Sequence, residues 1–193
     1  MKNLLHKPLK TSGLIHDITP KEVGWSFVGM AIHLLKPDEL ISGLTQLTEV
    51  IIVIIEGKCE VKVNNIDYGK LGDRISVFER LPPQSVYTSI DSEWSCKANS
   101  SCTIAICSAP GKGNYQTRLL DPPTLTQRGK GANTRFINNI AMEQDDVADS
   151  LLVTEVFTPQ GNWSSYPPHR HDEDNFPDIT YLEETYYHRL NPI

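Results

Sequence analysis

The feature that most constrains the fold is an unbroken run of six β-branched residues, Val50 to Ile55. A continuously apolar run of this length, bounded by turn residues, is typical of a strand that is buried on both faces. The turn EGK at 56–58 follows, and the next segment, CEVKV at 59–63, alternates so that three apolar residues share one face. The sequence therefore predicts a strand in the interior of a β-structure, followed by a strand with one buried face.

Strand-like segments separated by turn signals continue on both sides of this pair. Residues 25–35 begin with an aromatic and β-branched pattern, which ends at the turn KPD at 36–38. Residues 94–109 add one or two further strands, of which TIAIC at 103–107 is the clearest. Short strands at regular turn spacing predict a sandwich or a barrel, and no long amphipathic helix competes with this interpretation.

A change of character divides the chain into two β units. Residues 111–134 are rich in Gly, Pro, Asn and basic residues and have no clear periodicity, which predicts an inter-domain linker. A strong strand pattern resumes in SLLVTEVFTP at 150–159. We therefore predict a first domain over residues 1–110 and the beginning of a second over residues 135–193.

Charge and composition narrow the class of partner. The net charge is −6 at pH 7, and the 18 Lys and Arg residues are scattered, so we expect no nucleic-acid partner. No segment approaches the roughly 20 apolar residues of a membrane span, and the N-terminus lacks the apolar run of a signal peptide. The four cysteines have no Cys-x-x-Cys spacing. We expect them to be reduced thiols in a cytoplasmic protein without a membrane partner.

The segment SYPPHRHDEDNFPDITYLEETYYHRL, at 165–190, holds the residues best suited to chemistry. His169 and His171 are one residue apart, so in an extended backbone both imidazoles project from the same face. Neutral imidazole, completed by a carboxylate, suits ions such as Zn, Mn, Fe or Ni. The pattern indicates a metal site, with a polar surface loop as the alternative.

Either of two adjacent glutamates, Glu183 or Glu184, could supply the carboxylate ligand. Alternation along LEETYYHRL puts Glu184 and His188 on one face of a strand, and Glu183 and Arg189 on the other. Only one glutamate can therefore face the same interior as the histidines. The alternation alone leaves open which one it is.

These motifs resemble the 5-deoxy-glucuronate isomerases of inositol catabolism, which are bicupins. The resemblance rests on NWSSYPPHRHD and LEETYYHR, and it extends to SVFERLPPQSVY (76–87), RGKGANTRFINNI (128–140) and SLLVTEVFTPQGNWSSYPPH (150–169). It implies an all-β fold in which one cupin barrel, a double-stranded β-helix or jelly roll, is followed by a second that holds the metal. No histidine lies between His33 and His169, so the first barrel is expected to hold no metal.

The resemblance also implies a ligand set for a divalent metal, with Zn or Mn expected. His169 and His171 would be the first two ligands and Glu184 the third, with Glu183 as the alternate. His171 and Glu184 are 13 positions apart, which implies an inserted loop that borders the substrate pocket. The family's fourth ligand is expected from a strand beyond Ile193, so we expect the second barrel to be incomplete in this chain.

The activity that the resemblance implies is an aldose–ketose isomerisation between 5-deoxy-D-glucuronate and 2-deoxy-5-keto-D-gluconate. The metal would act as a Lewis acid, and a general base would move a proton between neighbouring carbons. Glu183 is the first candidate for this base, and His188 is the second. The carboxylate of the sugar acid needs a cation, for which the candidates are Arg170, Arg189 and Arg135.

Two other functions stay open for this sequence. One is a different metal-dependent cupin enzyme, of the dioxygenase type, which would consume oxygen. The other is an inactive fragment of the isomerase. A homo-oligomer is compatible with each of the three functions.

Overall fold

The computed structural model describes residues 4–166 and 171–191. The regular structure of the described residues is almost entirely β, with one short α-helix, α1, at Pro20–Val23. Three 3-10 turns lie at Val77–Glu79, Gly131–Asn133 and Glu143–Asp145. Among the described residues, no helix combines the length and apolar character needed to cross a membrane. The strands are β1 Gly13–Ile18, β2 Gly29–Leu35, β3 Leu40–Leu44, β4 Thr48–Glu56, β5 Cys59–Val63, β6 Ile66–Leu71, β7 Gln84–Thr88, β8 Glu93–Ala98, β9 Cys102–Pro110, β10 Arg118–Leu119, β11 Thr126–Arg128, β12 Arg135–Ala141 and β13 Val153–Phe157.

Two antiparallel sheets form the first barrel. One has the order β1-β2-β9-β4-β7-β10 and the other the order β3-β8-β5-β6. From β2 to β5 the chain crosses between the sheets at every strand, and it crosses again from β6 to β9, which is the winding of a jelly roll. The predicted all-β cupin fold class is therefore confirmed.

The central strand β4 is buried on both faces, as its apolar run predicts. Val50, Ile52 and Ile54 face the four-stranded sheet and join the core of the barrel. Ile51 and Val53 point the other way, into a second core that includes Ile140 and Leu151 of the second unit. The alternation in β5 is also as predicted, with Cys59, Val61 and Val63 fully buried.

The second unit contributes the three-stranded sheet β11-β12-β13. It packs on the outer face of the six-stranded sheet and shares that sheet's second core. Within 111–134, β10 pairs with β7 of the first barrel, whereas β11 pairs with β12 of the second sheet. One part of the predicted linker therefore pairs with the first barrel and another part with the second sheet. The domain boundaries stay a prediction.

A buried carboxylate in β4 holds the chain just before β13. Glu49 is fully buried, and its Oε1 accepts hydrogen bonds from the backbone amides of Ser150 and Leu151 at 2.6 and 2.8 Å. Its Oε2 accepts from the amide of Asp149 at 2.7 Å and from the hydroxyl of Tyr87 at 3.0 Å. Buried polar atoms are tolerated when they are satisfied in this way, so Glu49 fixes the second unit on the first barrel.

The aromatic start of the pattern at 25–35 does not form a strand. β2 begins only at Gly29, and the preceding amides of Ser26, Phe27 and Val28 donate to the carboxylate of Glu183. These amides therefore find a distant side chain in place of a neighbouring strand. Sequence periodicity has no means of indicating such a partner.

Candidate active site

A compact loop returns the chain to the side of His171. Asn175 and Ile179 exchange both of their backbone hydrogen bonds, at 2.9 and 3.0 Å, and Leu182 N donates to His171 O at 3.0 Å. The insertion between His171 and Glu184 is thus a folded turn. It brings the segment that contains Glu184 next to His171 along the backbone.

The ring of His171 is oriented by a backbone carbonyl. Its Nδ1 lies 3.0 Å from the carbonyl oxygen of Thr180. A carbonyl oxygen only accepts hydrogen bonds, so Nδ1 carries the proton and the neutral ring keeps its lone pair on Nε2. This is the arrangement in which a histidine binds a metal through one ring nitrogen while the other is held by the protein.

The C-terminal segment, residues 181–191, forms no regular strand, so the strand predicted for LEETYYHRL is wrong, but the segment still presents two different faces. The side chains of Glu183, Tyr187 and Arg189 point to the first barrel, where Tyr187 packs edge-on against His16 with ring centroids 5.8 Å apart. The side chains of Glu184, Tyr186 and His188 are exposed on the other face. The predicted alternation is therefore confirmed.

Glu183 is held by backbone amides of the first barrel. Its Oε1 accepts from Ser26 N at 2.7 Å, and its Oε2 accepts from Phe27 N and Val28 N at 2.7 and 3.0 Å. Partial burial alone would raise the pKa of Glu183, but the three amides outweigh it, so the pKa lies below its usual value. A general base needs a pKa near neutrality and a free lone pair. The assignment of Glu183 as base stays a prediction, and its contacts favour a structural role.

The opposite face carries a connected set of three polar side chains. Tyr186 donates its hydroxyl proton to Glu184 Oε2 at 2.7 Å. The rings of Tyr186 and His188 stack with an interplanar angle of 14° and centroids 5.8 Å apart. Partial burial, helped by the hydrogen bond to Glu184 and its charge, raises the pKa of Tyr186 to about 12. Tyr186 is therefore a hydrogen-bond donor at neutral pH.

An open cleft of about 300 Å³ lies between β13 with its following loop and the C-terminal segment. One side consists of Val156, Thr158, Asn162 and Ser164, and the other of residues 187–190. The cleft therefore includes His188 and Arg189, two of the residues that the sequence nominated for catalysis and substrate binding. Its polar walls suit a hydrophilic ligand.

The three candidate arginines have different environments. Arg189 Nη1 lies 2.8 Å from Glu56 Oε1, so this ion pair fastens one edge of the cleft to the first barrel. Arg135, at the start of β12, donates to Asn133 O at 3.1 Å and does not line the cleft. Arg170 lies outside the described residues, as does His169.

Two of the three expected metal ligands lie among the described residues. Across residues 4–166 and 171–191, no three His, Cys, Asp or Glu side chains converge as a metal-binding group. Of the expected ligands, His171 and Glu184 are described and lie on neighbouring segments, whereas His169 is not described. The metal assignment therefore stays a prediction.

Sequence reasoning did not anticipate the residues that fasten the two units together. These are Glu49, Arg74 and Glu155, the last two of which form an ion pair between the barrel and β13. A weak signal was present, since Glu49 and Glu155 are charged residues in or beside otherwise apolar strand patterns. A buried charge of this kind needs a partner, but the sequence does not identify it.

A jelly-roll barrel followed by a second β unit with a histidine and a carboxylate at its edge defines a protein of the cupin class. The chain belongs to the KduI/IolB family, whose profile matches residues 4–193. It is 42% identical over 189 residues to the 5-deoxy-glucuronate isomerase of Geobacillus kaustophilus, covering 97% of this chain and 68% of that protein. The protein of the same name from Halalkalibacterium halodurans is 39% identical over 199 aligned positions, covering 100% and 74%.

A solved structure agrees with this membership. An IolB-like protein from Salmonella typhimurium LT2 superposes with a TM-score of 0.88 at 38% sequence identity. The match covers 93% of this chain and 68% of the Salmonella chain. The resemblance to a bicupin isomerase family, first drawn from short motifs, is therefore confirmed over nearly the whole chain.

Proposed function

We propose that this protein is a metal-dependent isomerase that interconverts 5-deoxy-D-glucuronate and 2-deoxy-5-keto-D-gluconate in inositol catabolism. The observation that carries the proposal is the 42% identity to a 5-deoxy-glucuronate isomerase over 97% of the chain. The family match extends from residue 4 to residue 193, so it takes in both the histidine motif and the glutamate motif.

The described residues fit a divalent metal, with Zn or Mn as the expected ion. His171 offers a free Nε2, because its Nδ1 is bound to the carbonyl of Thr180. Glu184 offers an exposed carboxylate, whereas Glu183 is occupied by three amides of the first barrel. We therefore assign His171 and Glu184, together with His169, as the residues that would hold the ion.

The bound metal would supply Lewis acidity to the carbonyl group of the sugar acid. Within the cleft, His188 is the better placed of the two candidates for proton transfer. His188 lines the cleft and is exposed, and its imidazole would take a proton from the carbon next to the carbonyl and return it to the neighbouring carbon. Glu183, by contrast, acts as an anchor of the segment that carries the site.

Arg189 is the candidate that would bind the substrate carboxylate. It lines the cleft, is held in place by Glu56 through Nη1 and also interacts with the Tyr187 side chain, so the guanidinium donors outside these two contacts would be available to an anion. Arg170 stays a candidate for the same role. Arg135 is less suited, because it contacts Asn133 and does not line the cleft.

The test combines metal analysis with an isomerase assay on 5-deoxy-D-glucuronate. The Geobacillus kaustophilus relative serves as the positive control for the assay. We expect bound metal, turnover to 2-deoxy-5-keto-D-gluconate, and loss of that turnover on chelation with recovery when Zn²⁺ or Mn²⁺ is returned. A folded, metal-loaded protein that does not convert the sugar acid would contradict the proposal, as would oxygen uptake in place of isomerisation.

The adjacent glutamates provide a matched pair of variants for the ligand assignment. Glu184→Gln and Glu183→Gln make the same chemical change at neighbouring positions on opposite faces. We expect Glu184→Gln to bind the metal much more weakly and to lose activity, and Glu183→Gln to retain the wild-type metal affinity. The reverse pattern would transfer the ligand role to Glu183.

A further inference from the structure

The phenol of Tyr186 occupies one specific oxygen of Glu184. The hydroxyl donates to Oε2 at 2.7 Å, and among the described residues no donor contacts Oε1. Both side chains are on the exposed face of the C-terminal segment, two positions apart in the sequence. The two oxygens of this carboxylate are therefore chemically different before any ligand binds.

The Tyr186 ring is itself held in place. It stacks on the imidazole of His188, with an interplanar angle of 14°. Glu184, Tyr186 and His188 thus form a row in which each side chain restricts the next. A flexible carboxylate on an exposed segment would otherwise lose rotamer freedom when it bound a ligand, and a preformed hydrogen bond reduces that loss.

We propose that Tyr186 is a positioning residue for Glu184, holding Oε2 so that Oε1 is the oxygen offered to the metal. The inference rests on the proposed function, because it takes Glu184 to be a metal ligand. It goes further by assigning a role to a tyrosine that neither the ligand motif nor the proton-transfer chemistry requires. Hydrogen bonds of this kind to a metal ligand typically change metal affinity about 10- to 100-fold.

The test is the variant Tyr186→Phe, which removes only the hydroxyl and keeps the ring that stacks on His188. Zn²⁺ affinity is measured by competition with a chromophoric chelator, and the visible absorption of the Co²⁺-loaded protein reports the ligand field. We expect the dissociation constant for Zn²⁺ to rise about 10-fold or more, together with a change in the Co²⁺ spectrum. Tyr181→Phe, at an exposed tyrosine earlier in the segment, should change neither.

A double-mutant cycle separates this role from a general effect on the fold. If Tyr186 acts through Glu184, removing its hydroxyl in a Glu184→Gln background should change the residual Zn²⁺ affinity less than about twofold. An equal loss in both backgrounds would overturn the inference.

The outcomes also separate this inference from the proposed function. Wild-type affinity and an unchanged Co²⁺ spectrum in Tyr186→Phe would overturn the positioning role alone. A wild-type protein that binds neither Zn²⁺ nor Co²⁺ would overturn the metal-dependent function, and the positioning role with it.

Discussion

The guanidinium of Arg74 in the first barrel and the carboxylate of Glu155 in β13 form a two-pronged ion pair. The contacts are Nη1 to Oε2 at 2.9 Å and Nη2 to Oε1 at 2.5 Å. Arg74 is buried and also donates to the carbonyls of Ile55 and Leu81, while Asn138 donates to Glu155. The pair is therefore well satisfied, and it joins the barrel to the sheet that carries one wall of the cleft.

Removing one partner of this pair should destabilise the protein strongly. In Glu155→Gln the buried guanidinium loses its counter-charge, and we expect the free energy of unfolding to fall by about 3 kcal/mol. Urea denaturation followed by circular dichroism measures the change. The control is Lys62→Met, which breaks the exposed Lys62–Asp67 pair and should leave the midpoint unchanged within error. Equal effects of the two variants would show that the buried pair has no special role.

The anchor at Glu183 should make stability depend on pH in a defined direction. Because the folded pKa of Glu183 is lowered, its contribution is complete above the unfolded value, about 4.3, and is lost as pH falls through the folded pKa. We expect Glu183→Gln to reduce stability at neutral pH by about 1–2 kcal/mol. The difference from wild type should shrink as the pH is lowered below about 4.

Urea midpoints of both proteins between neutral pH and about pH 3 measure this effect. Glu184→Gln is the matched control, since this exposed carboxylate accepts its hydrogen bond from Tyr186 alone among the described residues. It should change stability little at any pH. A stability difference for Glu183→Gln that stays constant down to the lowest pH would argue against an ionised anchor.

The cysteines should be unreactive in the folded protein. Burial raises the pKa of Cys107 to about 12, and a hydrogen bond with Cys59, together with burial, raises that of Cys102. Cys96 is fully buried. Because the thiolate is the reactive form, we expect negligible reaction with a disulfide reagent at about pH 8. All four thiols should react once the protein is unfolded in urea. Rapid modification of any cysteine in the folded protein would contradict this expectation.

His188→Gln should impair turnover more than substrate binding. If His188 transfers the proton, kcat should fall about 100-fold or more with a small change in KM. His6→Gln, at an exposed histidine near the N-terminus, is the control and should behave as wild type. A rise in KM with unchanged kcat would instead indicate a role in substrate binding.

Much of the fold was accessible from local sequence patterns. The apolar run at 50–55 predicted a doubly buried strand, and β4 is buried on both faces. The alternation of 59–63 predicted the buried face of β5 correctly. These predictions succeed because burial on a strand repeats every two residues, and that repeat is written in the sequence itself.

Side-chain alternation was not enough to predict the contacts of the candidate site. Alternation separated Glu183 from Glu184 but did not identify which face met the first barrel. It also predicted strand structure from residue 25, whereas the amides of Ser26 to Val28 are bound by Glu183. Both questions depended on a contact between residues that are more than 150 positions apart in the chain.

The sequence by itself determined that this protein is a β-barrel of the cupin class, that its C-terminal segment has two faces, and that histidines and glutamates cluster there. The tertiary structure alone decided that Glu183 is an anchor, that Glu184 is exposed beside Tyr186, and that Arg74 pairs with Glu155. The physical reason is the separation along the chain over which each kind of information acts. Periodicity fixes which side chains share a face, whereas the partner of a charged side chain is fixed only when distant strands pack together.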